Sequence, residues 1–252
     1  MEISEYKNIF ENEDTHFLYK SRHSLVLSLF QKYLTLKPSK LRILDAGCGT
    51  GGLLEKLGRF GRTWGIDISQ EAIKFSEKRK LKVKKSSVTN IPFNRDYFDV
   101  VISVDVIYHT KVKNDQKAIN EFYRVLKPGG TLIIRVPAIK WLTLVHDKHV
   151  HTRNRYDKKE LEKKLVSSGF IIQKISFVDS LLLPAAFLKN IFEMLNHPKR
   201  INSGVTPLPN FVNTVLTKLL LLEVNLINII NLPIGIGLVA VCRKPMRQNI
   251  HE

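Results

Sequence analysis

The sequence predicts an α/β fold: a doubly wound, mostly parallel seven-stranded sheet with helices on both faces and a helical insert between strands six and seven. Short apolar runs alternate with amphipathic helical patterns. A glycine-rich loop follows the first run. A stretch of roughly fifty residues separates the last two runs, too long for a plain connection.

In chain order, Ser21 to Leu34 places Leu25, Val26, Leu29, Phe30 and Tyr33 at helical spacing and reads as a leading amphipathic helix. The strand candidates are Arg42–Ala46, Thr63–Asp67, Lys82–Ser86, Phe98–Val104, Thr131–Val136, Phe170–Phe177 and Leu238–Arg243. Crossover helices are expected at Ser69–Lys80 and Asp115–Leu126. Ahead of strand six, Asp157 three residues before Glu160 reads as a capping box, with Leu161 and Leu165 inward and Gly169 as the stop. The insert should hold helices at Phe187–Leu195 and Asn210–Ile230.

Val224 to Cys242 carries no charged residue. Asn225, Asn228, Asn231, Pro233, Gly235 and Gly237 interrupt it, so it reads as a helix-to-strand join and not as a membrane span. The expected organisation is one domain: a helical cap over 1–40, a core over 41–180, the insert over 181–232, and the last strand with its tail over 233–252.

The 252 residues suffice for one substantial core. Cys48 and Cys242 are too few for a disulfide framework, and the polar, acidic start from Met1 to Phe17 is unlike a secretory signal. A cytoplasmic location is expected. Forty Lys and Arg against 23 Asp and Glu give a formal charge of +17, which attracts nucleic acid, acidic headgroups or an acidic substrate alike.

Asp45-Ala46-Gly47-Cys48-Gly49-Thr50-Gly51-Gly52 ends the first strand and opens a helix. Its glycines permit sharp backbone geometry and close approach of a ligand. Gly47, Gly49 and Gly52 also fit the loose dinucleotide fingerprint, with Asp67 twenty residues after Gly47. Asp45 separates the two readings. A carboxylate at the mouth of the loop repels a pyrophosphate but attracts S-adenosylmethionine, which brings an ammonium and a sulfonium and no phosphate. A glycine turn without ligand is the structural alternative.

These residues resemble the class I (Rossmann-like) S-adenosylmethionine-dependent methyltransferases, in the type-11-like branch with D-x-G-C-G-x-G loops. The resemblance runs from Leu41 to about Phe177 and returns at Leu238–Arg243. It includes Trp64-Gly-Ile-Asp67-Ile68, Ile91-Pro-Phe93 with Tyr97-Phe-Asp-Val100, and Lys127-Pro-Gly-Gly130. It implies an antiparallel last strand and a cofactor site of Asp45, Gly47, Gly49, Gly51, Asp67, Ile68, Ser87 and Val88. The family often has an aspartate where Ser87 stands, and a hydroxyl accepts more weakly than a carboxylate.

On the acceptor side, His109 matches a position where that family often has a histidine, and it is the candidate base. Tyr156 is the second catalytic candidate. His146, His149, His151, Arg153 and Arg155 follow strand five and read as an acceptor loop with two anion-binding guanidinium groups. The histidine spacing matches no zinc signature, so no metal is expected. The start of the chain, from Glu13 to Arg22, together with this loop and the insert, resembles methyltransferases of surface-glycan and lipid-linked sugar pathways. The resulting expectation is O- or C-methylation of a small-molecule, glycan or lipid-linked acceptor. An RNA methyltransferase or a cofactor-binding protein without activity are the alternatives, and a dinucleotide oxidoreductase would need a hydride-acceptor site that is not evident. Ser103 to His109 lacks the N/D-P-P-Y/F tetrapeptide of base-amino methylation, and no aromatic-interleaved RNA module is present, which argues against a nucleic-acid partner. The leucine-rich insert, punctuated by Lys189, Lys199, Arg200 and Lys218, fits an anionic membrane surface.

Overall fold

The computed structural model describes residues 3–34, 41–139, 154–196 and 208–246. Two helices, α1 (Ile3–Asn12) and α2 (Phe17–Tyr33), precede the sheet. The core then runs β1 (Leu41–Ala46), α3 (Gly52–Leu57), β2 (Gly61–Asp67), α4 (Gln70–Lys78), β3 (Val83–Lys85), β4 (Phe98–Val104), α5 (Asp115–Val125) and β5 (Leu126–Pro137). It closes with α6 (Lys158–Ser167), β6 (Ile171–Val178), α7 (Leu183–Asn196), α8 (Asn210–Ile229) and β7 (Gly237–Arg243).

Among the described residues these strands form one seven-stranded sheet in the order β3-β2-β1-β4-β5-β7-β6. The pairs from β3 through β5 are parallel, and β7 lies antiparallel between β5 and β6. The expected fold class, with its antiparallel last strand and helical insert, is what the chain forms.

Side-chain alternation divides the core into two layers. Leu44, Ala46, Val101, Leu132 and Ile134 face α5 and α6 through Ile119, Phe122, Leu161 and Leu165. Ile43, Val100, Ile102, Ile133 and Val239 face α2, α3 and α8 through Leu25, Leu29, Leu57 and Val224. A period-two strand must supply both layers, so these strands are apolar on both sides. Strand β5 is longer than expected. Leu126 pairs with Phe98, and Gly129 and Gly130 exchange backbone bonds with Lys244, which draws the turn into the sheet.

The caps follow the sequence signals. Asp157 accepts from the Glu160 amide at 2.8 Å to start α6, and Gly169 ends it with φ +93°. Asn114 likewise accepts from Lys117 N to start α5. The sheet reverses direction of winding between β1 and β4, so the carboxyl ends of those strands diverge and leave a crevice.

Candidate active site

The crevice contains a cavity of about 550 Å³. Its floor is the loop after β1. Gly47, Gly49 and Gly51 all have positive φ, at +93°, +55° and +91°. A side chain at Gly47 would strike Val106 at 2.2 Å, so contact with the segment after β4 enforces glycine there. At Gly49, which lines the cavity, a methyl group would meet no atom within 4 Å. The backbone there stands against open space.

Three carboxylates surround this loop. Asp67, at the end of β2, accepts from Gly49 N at 3.1 Å and Ser69 N at 2.8 Å, which fixes both the loop and the start of α4. Glu13 accepts from Thr50 Oγ1 at 2.8 Å, Gly52 N at 3.1 Å and Arg79 Nη2 at 2.9 Å. Asp45 is different. It is 2% exposed, lines the cavity, and has no hydrogen-bond partner among the described residues. Burial first, then the charges of Asp67 and Glu13, push its carboxyl up to about 7. A buried carboxylate held that way is an unfilled demand for a cation.

Beyond β3, Ser86, Ser87 and Val88 line the same cavity. The Ser87 hydroxyl lies 2.8 Å from Thr89 Oγ1 and accepts from Thr89 N, so it braces its own turn. Ile68 lines the cavity and is 45% exposed. All eight residues expected for the cofactor except Gly51 line this one space. Gly51 sits behind it, packed toward Leu81 and Ser76, where its positive φ shapes the loop.

The other end of the cavity lies beyond β4 and β5. His109 lines it and is half-buried, with Nδ1 accepting from Lys111 N at 3.1 Å. That bond engages the ring through Nδ1. Arg155 also lines the cavity and donates to the Ala138 carbonyl at 2.8 Å. Tyr156 does not. It is fully buried in the core, bridged to Ala138, and its hydroxyl donates to Asp115 at 2.6 Å. Its expected place beside the acceptor is corrected: the β-bridge turns it inward, away from its neighbour Arg155. His146, His149, His151 and Arg153 lie outside the described residues.

Sequence reasoning missed a polar cluster at this end. Arg135, 3% exposed on β5, pairs with Asp105 and Asp179, and Arg22 of α2 reaches Asp105 at 3.4 Å. Asp105 and Asp179 both have positive φ, so backbone strain is spent on presenting these carboxylates to Arg135. His23 lines the cavity with Nδ1 buried and unbonded among the described residues, and burial lowers its ring to about 4. Tyr19 also lines the cavity, and burial raises its hydroxyl to about 12. One signal was available: an arginine inside the apolar run from Thr131 to Val136 needs buried partners.

Residues 44–134 match the family model described as "Methyltransferase domain". Over that stretch the sequence is similar to methyltransferase domains, and the sheet order is that of solved methyltransferase structures. Over 105 residues it is 38% identical to a tRNA (carboxymethyluridine(34)-5-O)-methyltransferase of Arabidopsis thaliana, covering 41% of this chain and 26% of that protein. Over 181 residues it is 29% identical to a sterol 24-C-methyltransferase of Pneumocystis carinii, covering 66% of this chain and 43% of that one. The chain thus spans less than half the length of either curated relative. In fold, it superimposes on a putative sarcosine dimethylglycine methyltransferase from Galdieria sulphuraria with TM-score 0.60 and 19% identity, over 88% of this chain and 84% of that one. The match begins inside β1 and stops inside β5, so it takes in the glycine loop and the parallel strands from β1 to β5. The flanking α1, α2, α7 and α8 are outside the matched residues.

Proposed function

We propose that the protein is an S-adenosylmethionine-dependent methyltransferase acting by O- or C-methylation on a small-molecule, glycan or lipid-linked acceptor. The observation that carries this reading is Asp45, a buried carboxylate without a partner among the described residues, facing a cavity floored by a glycine loop. A pyrophosphate cofactor would meet Asp45, Asp67 and Glu13 together, and like charge excludes it.

The chain's own residues fit the methyl donor. Asp45 and the open backbone at Gly49 suit its cationic amino-acid end. Asp67 has acceptor capacity left after its two amide bonds, which suits ribose hydroxyls. Ile68, Ser87 and Val88 flank the space for adenine. Bound there, the sulfonium would supply a methyl group whose leaving group departs as a neutral thioether. The protein has to align the acceptor and exclude water. A hydroxyl or carbon acceptor loses a proton as it takes the methyl group, and His109, which lines this end of the cavity, is the residue assigned to receive it; Arg155 steadies a negative group, and Arg22 and Arg135 are held by Asp105 as the polar end wall. Phe17, Leu18, Leu182 and Ala186 make the remaining wall apolar, which favours an acceptor with a hydrocarbon body.

A second reading is an RNA acceptor. The similarity to a tRNA methyltransferase and the +17 charge support it, against the expectation that nucleic acid is not a partner. Incubation with labelled S-adenosylmethionine and separate lipid, glycan, metabolite and RNA fractions distinguishes the two. Label in lipid or glycan is expected, and label confined to RNA would replace the first reading with the second.

A further inference from the structure

We propose that α7 and α8 dock the protein on an anionic lipid surface, with the cavity mouth beside the contact. Helix α8 is apolar on two sides. Leu220, Val224 and Ile227 are buried on the α2 side. On the other side Phe211, Val215, Leu222, Leu226 and Ile229 stand exposed, Phe211 at 79% and Ile229 at 80%. At 3.6 residues per turn these five fall on a stripe about 60° wide running the length of the helix, roughly 30 Å. Helix α7 adds exposed Phe187, Leu188 and Ile191.

Helix α8 is long and apolar enough to cross a membrane by length and composition. Its packing against the domain fixes another role. Asn213 accepts from Phe17 N and donates to the Thr15 carbonyl, and Glu223 accepts from Ser180 N and Leu181 N. Tied at both places, the helix lies along a surface and does not pass through it.

Charge selects the occupant. Between Ser180 and Ile236 the sequence has two acids, Glu193 and Glu223, and Glu223 is buried. Exposed Lys218 borders the stripe, and exposed Lys32 donates to the Asn228 carbonyl near the end of α8. An anionic bilayer complements these lysines and attracts the +17 molecule as a whole. Leu182, just before α7, and Ala185 and Ala186 within it line the cavity, and Leu181 stands beside Leu222 and Leu226 of the stripe, so the turn into α7 joins the two. An acceptor with a hydrocarbon tail enters from the lipid without crossing water. The docking itself needs only the surface and stands independently of methyl transfer.

The test is co-sedimentation of the full chain with phosphatidylcholine vesicles, with and without phosphatidylglycerol, at low and high salt. Binding is expected to the anionic vesicles, to weaken at high salt, and to fall about tenfold or more in Leu222→Asp/Leu226→Asp. The single variants Phe211→Asp and Ile229→Asp, at the most exposed positions, provide the same test should the double variant fail to fold. Thermal melting establishes that each variant is folded. Absence of sedimentation at low salt by folded protein overturns the proposal, as does equal sedimentation of folded variants. A concentration-dependent dimer abolished by the same substitutions also overturns it, by assigning the stripe to a second copy.

Discussion

Asp45 and Asp67 differ in what they already hold, and their variants should differ accordingly. Asp67→Ala removes acceptors for ribose hydroxyls, each bond to a charged group worth about 1.5–3 kcal/mol, so S-adenosylmethionine binding should weaken at least ~tenfold in a calorimetric titration. Asp45 titrates near 7 because burial and two neighbouring carboxylates disfavour its charge. The folded value lies above the unfolded value of about 4, so the free protein loses stability as pH climbs from 4 through about 7. A cationic ligand demands the charged form. Affinity should therefore rise with pH up to about 7 and level off, and Asp45→Asn should flatten that profile; an unchanged profile would show that another group titrates. Tyr156→Phe removes a buried bond to Asp115 and should cost about 1–2 kcal/mol in thermal melting while cofactor affinity stays the same. Asp45, Asp67 and the glycines were legible because their meaning is set by neighbours within one turn of chain. Arg22, His23 and Arg135 were not, because α2 and β5 bring them together from distant segments. Tyr156 misled for the opposite reason: its neighbours in sequence, Arg153 and Arg155, say nothing of the Ala138 bridge that turns it inward.

Helix α1 shows what sequence reading lost at the level of elements. Its ten residues have no cap signal and a polar, acidic composition, yet Tyr6 and Ile9 line the cavity, and the Phe10 ring packs tilted against Phe75 of α4 with centroids 4.9 Å apart. The clamp is Glu13, just past the helix end, which joins Thr50, Gly52 and Arg79 in one buried knot. Glu13→Ala leaves the Thr50 hydroxyl and the Gly52 amide without their acceptor, while Arg79 keeps Asp14 and Glu55, at a cost of about 2 kcal/mol. It should lower the melting temperature and weaken cofactor binding together; loss of stability with unchanged affinity would confine α1 to a structural role. The strands, α4, α5, α6 and α8 were legible because period and caps agree along each of them. Strand β5 grew beyond its apolar run because Lys244 pairs with Gly129 and Gly130 across the sheet. That contact is set by tertiary register, which propensity does not encode.

At the level of the molecule, the sheet order places an acidic end and an arginine-bearing end in a single cavity. Asp45, Asp67 and Glu13 face the glycine loop, while Arg155 and Lys111 stand at the far end beside Arg22 and Arg135, whose charges Asp105 and Asp179 offset. This polarity suits a cationic donor and an acceptor carrying negative or polar groups. It predicts that high salt raises the KM for an anionic acceptor by screening Arg155 and Lys111, while the buried Asp45 and Asp67 leave cofactor binding less sensitive to salt. Fold class was readable from alternation alone, whereas acceptor class was not, since the walls that choose it come from α2, α7 and the end of β5. The most direct test of the central claim is isothermal titration calorimetry of the purified chain with S-adenosylmethionine, S-adenosylhomocysteine and NADH. Saturable binding of both methyl-cycle ligands, lost or weakened at least ~tenfold in Asp67→Ala, with no binding of NADH, is the predicted result. Tight binding of NADH with none of either methyl-cycle ligand would contradict it.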